Sequence, residues 1–214
     1  MKKRVVSLLM ALMLLMSLLP TGAMAAGGDW IYAPGAEGEP STLTSADASI
    51  VLNVTANGTD LTITGYQNIG SGAIDLTGTI TDAEGGSYTI TTIGESAFES
   101  CAGLKSIVLP DGLTGINYNA FYNCTGLQSI HIPESVTFIG ASAFRLCKSI
   151  TSIVIPSGIT TLNEDLFSGC DSLSLIVLPE GLKEIKSSAI GSCSGLRELT
   201  LPASVTTIAP SAFV

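Results

Sequence analysis

The sequence predicts an elongated solenoid of 23-residue coils, with a parallel β-sheet on one face, short helical turns on the other, and a β-hairpin-like cap at its N-terminal end. Three observations predict it. Cys101, Cys124, Cys147, Cys170 and Cys193 fall 23 residues apart four times in succession. Ile93, Ile116, Ile139, Leu162, Ile185 and Ile208 form a second column in the same register, and Phe98, Phe121, Phe144, Phe167, Ile190 and Phe213 a third. Pro110, Pro133, Pro156, Pro179 and Pro202 close an apolar triplet in each unit. A fixed period of this length with Leu and Ile columns means that each unit buries its apolar side only against its neighbours.

In chain order, residues 1–25 read as a secretory signal peptide. Lys2, Lys3 and Arg4 give a basic start, Val5 to Leu19 an apolar run, and Ala23-Met24-Ala25 the small residues that a signal peptidase needs. All five methionines lie within this segment. The apolar run falls short of the ~20 residues that span a bilayer, so contact with a membrane is expected only before cleavage. Residues 26–48 are rich in Gly, Pro, Ser and Thr and read as a flexible leader. Residues 49–92 read as a β-rich cap: Ile50, Val51 and Val54 precede the turn signal Asn57-Gly58, and Leu61, Ile63 and Tyr66 follow it. Ile74-Asp75-Leu76-Thr77 aligns with Ile107-Val108-Leu109-Pro110 as a degenerate first coil, interrupted by the Gly-rich, acidic turn Thr81 to Ser87.

Residues 93–214 carry five full 23-residue units and a truncated sixth, the pattern of a leucine-rich-repeat solenoid of α/β type. Within a unit, Ile107-Val108-Leu109 alternates in, out, in, as a short strand whose stacked copies form a parallel sheet. Ala97, Phe98, Cys101 and Leu104 share one face of a helical turn by their spacing. The column before it, Ser96, Asn119, Ser142, Asp165, Ser188 and Ser211, is expected to cap that turn's first amides. Gly103, Gly126 and Gly195 are expected to reverse the chain at positive φ. Leu113 and Ile116 give each unit a second extended edge.

Composition limits the chemistry. The formal net charge is −9, and removing the three cations of the signal peptide gives −9 − 3 = −12. Lys105, Arg145, Lys148, Lys183, Lys186 and Arg197 are then the remaining basic side chains, too few to form a phosphate-binding surface, and nucleic acid is not expected as a partner. The cysteine column reads as buried free thiols packing as small apolar groups. No cofactor is expected, and no metal site, because the clustered Cys and His ligands of a zinc site are missing. His131, the only histidine, falls outward on the sheet with no nucleophile elbow near any serine, so no catalytic residue is assigned and an enzyme is not expected. What varies between units is the outward sheet face: Lys105, Val108, Gln128, His131, Thr151, Val154, Leu175, Val177, Arg197 and Thr200 are the candidate ligand-binding residues.

The motifs A-F-x-x-C and L-x-x-I-x-[LI]-P with a following [VLI]-x-x-I resemble the BspA-type leucine-rich repeats of bacterial surface and secreted proteins. The likeness runs from Ile93 to Val214, and Leu61 to Tyr66 looks like that family's entry strand. The resemblance implies a secreted or cell-surface scaffold that binds an extracellular protein, with adhesion to host or bacterial proteins as its role. A carbohydrate-binding surface module is the alternative, and a hydrolase a more distant one. The chain halts at Ala212-Phe213-Val214, mid-coil and without a polar cap, so either a longer protein or a covering partner is expected.

Overall fold

The computed structural model describes residues 28–70 and 72–214, so the signal-peptide reading of residues 1–25 lies outside the described residues. Alternating apolar residues with turn signals between them produce four antiparallel neighbours in sequence: β1 (Trp30–Ala33), β2 (Ser41–Ser45), β3 (Ile50–Asn57) and β4 (Asp60–Ile69). The turn between β3 and β4 uses Gly58 at a φ of 63°. Residues 30–45 were expected to belong to a flexible leader; instead they form β1 and β2. The reason is their apolar alternation: Trp30, Tyr32 and Leu43 are buried in one core with Leu52 and Ile63. A Gly- and Pro-rich composition marked the turn between the two strands and obscured the strands themselves.

β5 (Ala73–Asp75) leaves this layer, and β6 (Ile80–Thr81) returns to pair with β1 and with β7 (Ser87–Ile93), which also pairs with β4. The pairings β7–β4–β3–β2–β1–β6–β7 therefore close on themselves as a six-stranded ring. Closure leaves the ring itself without an open sheet edge, while β5 stays the terminal strand of its own ladder. The indole of Trp30 fixes the ring to the first coil by donating to the Asp75 carbonyl at 3.1 Å.

The repeats then supply, in alternation, strands to two faces. β8 (Ser106–Val108), β10 (Ser129–His131), β12 (Ser152–Val154) and β14 (Leu175–Val177) lie on the sheet face; β9 (Gly115–Ile116), β11 (Phe138–Ile139), β13 (Thr161–Leu162), β15 (Glu184–Ile185) and β16 (Thr207–Ile208) form the outer edge. Pairing is parallel and keeps the 23-residue register, with Ile107 beside Ile130 on the sheet face and Leu162 beside Ile185 on the outer edge. β5 enters the same ladder with Ile74 beside Ile107, which places the degenerate first coil where its sequence aligned it. The Ile, Leu, Phe and Cys columns fill one continuous core up to the last coil, where Ile208 and Phe213 are exposed.

The third side of each coil is not helical. No helix occurs among the described residues. Ser96, Asn119, Ser142, Asp165, Ser188 and Ser211, expected to be N-caps, instead hold φ between 53° and 60°. Short polar side chains favour both an N-cap and the left-handed region, so the column's composition fits either. What decides is the neighbouring coil: the amides of Ser142, Phe144 and Leu146 donate to the carbonyls of Glu164, Leu166 and Ser168 in the next coil at 2.9, 3.1 and 2.8 Å. The amides between them close tight turns within the coil, as Arg145 to Ser142 at 3.1 Å and Cys147 to Phe144 at 3.2 Å. The result is a third ladder, made of turns. Gly103, Gly126 and Gly195 likewise do not hold positive φ. At Gly126 and Gly195 a Cβ would run into the carbonyls of Ala102 and Asp171, so close approach of the preceding coil explains those two.

Candidate functional site

The sheet face is built by β8, β10, β12 and β14, whose middle isoleucines point into the core and leave the flanking residues outward. Lys105, Gln128, His131 and Thr151 are exposed, Val108, Val154 and Val177 half-buried, and Leu175 is 40% exposed. Register brings Val108 beside His131, and Val154 beside Val177 with Leu175 beside Ser152. Arg197 and Thr200 are exposed but belong to no strand. The ten candidates thus do not form one uninterrupted ladder. β10 and β12 are not paired with each other, and the face divides into a polar half around Lys105, Gln128 and His131 and an apolar half around Val154, Leu175 and Val177.

The outer edge opens at the same step. β7, β9 and β11 pair in succession, as do β13, β15 and β16, with no pairing between β11 and β13. Along this edge Thr114 donates its amide to Thr91, Thr137 to Thr114, Lys183 to Thr160 and Thr206 to Lys183, at 2.8 to 3.0 Å, whereas Thr160 makes no such bond to Thr137. Asn163 replaces a backbone donor here: its side-chain amide reaches the Ile139 carbonyl at 2.7 Å, where Ile116 receives the Gly140 amide at 2.8 Å. Of the three backbone ladders, only the turn ladder crosses the step intact, flanked by the ion pairs Arg145–Asp165 at 3.8 Å and Lys148–Asp171 at 3.7 Å. The Lys148–Asp171 pair is exposed and the Arg145–Asp165 pair partly so, and each adds little by itself.

A cleft of about 270 Å³ lies on the outer side of this step, lined by Phe138, Thr137, Thr160, Thr161, Asn163, Glu184 and Lys186 among others. Phe138 is 37% exposed and meets Tyr118, 50% exposed, edge to face at 5.9 Å. Sequence reasoning placed no function here. The available signal was the column itself: Thr92, Gly115, Thr161, Glu184 and Thr207 are the equivalents of Phe138, so a large aromatic is the odd member.

The reactive side chains are arranged for packing. All five cysteines are free thiols, and all but Cys193 are buried. Burial pushes the Cys124 and Cys170 thiols up to about 12 and raises Cys101, Cys147 and Cys193 as well. A thiol so disfavoured as thiolate is a poor nucleophile. The Glu134 carboxylate is lowered because it accepts the Ser157 amide at 2.9 Å, and it also takes the Ser157 hydroxyl at 2.7 Å. That contact ties two coils together. A second cavity, about 620 Å³, lies at the last coil among Cys193, Leu196, Leu199, Phe213 and Val214.

Comparison with known proteins agrees with this geometry. The family described as "BspA type Leucine rich repeat region" matches residues 91–214 in six copies. A leucine rich cell surface protein from Faecalibacterium prausnitzii is similar at 28% identity and a TM-score of 0.60, over 83% of this chain and 53% of that one. The pneumococcal vaccine antigen PcpA has a TM-score of 0.58 at 21% identity, over 81% of this chain and 47% of that one. A leucine-rich repeat protein from Eubacterium ventriosum has 0.54 at 23%, over 79% and 50%. The chain spans about half the length of these three proteins. Among curated proteins none matches it in sequence. With six repeat copies over more than half its length and the same fold in bacterial leucine-rich-repeat structures, the chain belongs to the BspA-type leucine-rich-repeat family.

Proposed function

We propose that the chain is a secreted or cell-surface, non-enzymatic scaffold that binds an extracellular protein through the sheet face. The apolar half of that face carries the reading. Val154, Val177 and Leu175 stand side by side on β12 and β14, held outward by the buried Ile153 and Ile176. Apolar side chains gathered on rigid strands, next to the polar group Lys105, Gln128 and His131, have the make-up of a contact patch with a polar rim. The F. prausnitzii protein, described as a cell surface protein, supports the location, and adhesion follows as the role.

Immobilised matrix proteins and glycans, incubated with the purified protein, test the reading directly. Capture of a protein ligand that Leu175→Glu or Val154→Glu weakens at least ~10-fold is expected, since a charge forced into a desolvated contact costs several kcal/mol. Binding left unchanged by both substitutions removes this face as the contact, and capture of glycans alone overturns the protein-ligand reading.

A further inference from the structure

We propose that the cleft on the outer edge, where β11 and β13 part, binds a pyranose unit of a neutral oligosaccharide stacked on Phe138. This site lies away from the sheet face and does not depend on the protein-binding reading. Three independent observations meet there. First, the cleft is lined by the exposed Phe138 ring, braced by Tyr118 at 5.9 Å, and an aromatic face offers the polarised C–H groups of a sugar ring an apolar platform. Second, the outer ladder, continuous on both sides, is interrupted at this step, leaving the Thr160 amide and the Thr137 carbonyl without each other as partners. A sugar hydroxyl both donates and accepts, so it satisfies either group. Third, the remaining polar lining is varied: the hydroxyls of Thr137, Thr160 and Thr161, the Asn163 side-chain carbonyl, and the Glu184 carboxylate, with the Asn163 amide given to Ile139 and Lys186 paired with Glu164.

Charge and size narrow the ligand. Lys186 is paired with Glu164 at 3.3 Å and Glu184 stands in the lining as a carboxylate, so the cleft disfavours an acidic sugar. Its volume of about 270 Å³ lies just under the ~300 Å³ where small-ligand sites begin, which suits one or two sugar rings at the end of a chain. A peptide added as an extra strand finds poor purchase, because β11 and β13 are each two residues long.

Amide NMR of the ¹⁵N-labelled protein, titrated with cellobiose, maltotriose, chitotriose and a proline-rich peptide, tests the proposal. Saturable shifts at Phe138, Thr160 and Asn163 with at least one saccharide are expected. Phe138→Ala should weaken that binding about tenfold or more, in keeping with the worth of one aromatic contact. Thr160→Val, which keeps the side chain's shape and removes its hydroxyl, should weaken it several-fold, and Leu175→Glu on the other face should leave it unchanged. Absence of saturable shifts with every saccharide, shifts that survive Phe138→Ala undiminished, or binding of the peptide alone would each overturn the assignment.

Discussion

Phe144 is fully buried between Phe121 at 5.4 Å and Phe167 at 5.7 Å, with the rings within 13° of parallel. Its removal takes two ring contacts and leaves a void that neighbours on both sides, themselves ring-packed, are poorly able to fill. Phe144→Ala is therefore expected to cost ~3 to 5 kcal/mol, read as a loss of unfolding free energy in urea melts; a loss under about 1 kcal/mol would contradict a rigid ring column. The four stacked phenylalanines were legible in the sequence because they share one register. The further ring of the stack was not. Tyr66 stacks on Phe98 at 6.1 Å from the cap, 32 residues earlier and outside the period, and only three-dimensional structure puts it there.

At the scale of a repeated element, the thiol column explains why cysteine occupies a core position. The Phe121 carbonyl accepts the Cys124 amide at 3.2 Å within its own turn and the Cys147 thiol at 3.1 Å from the next coil, and the same pattern recurs at Phe98, Phe144 and Phe167. A carbonyl has two lone pairs, and the thiol fills the one that alanine would leave open. The pH consequence has a definite sign. The native thiols hold their protons above the ordinary value of 9.0, Cys124 and Cys170 up to about 12, so they contribute stability that is complete below pH 9 and lost as pH rises toward 12. Urea midpoints should hold steady to about pH 8.5 and then fall, each such thiol contributing at most ~1.4 kcal/mol per pH unit, with a shallower fall in Cys124→Ala. A midpoint unchanged between about pH 8 and pH 11 would refute the buried-thiol account. Periodicity revealed this column but not its hydrogen bond. It also located the turn column while misreading its conformation, because Ser, Asn and Asp are common both at helix starts and in left-handed turns. Gly169 is the one residue of the adjacent positive-φ column that betrays the geometry directly, at 74°, beside Ser100, Asn123, Leu146 and Ser192 at 53° to 59°.

Across the whole molecule, the stack is two blocks joined at one step. The ring, β5, β8, β10 and the edge strands through β11 form the first, and β12 to β16 the second. Sequence made the stacking plain, since the columns continue through Phe144 without a change of spacing. The break was hidden because the core columns carry on across it, and an outward position such as Phe138 is where the pattern differs. Hydrogen exchange should show it: the Thr160 amide is expected to exchange at least about tenfold faster than that of Thr137, while Phe144 and Leu146 in the intact turn ladder stay protected. Equal protection of Thr160 and Thr137 would mean that the two blocks are one. A ladder broken on two of three sides also sets how the molecule bears load. Under tension between its ends, the step holds through the turn ladder, the core and a few side-chain bonds such as Glu134 to Ser157, so it is expected to yield before either block unravels.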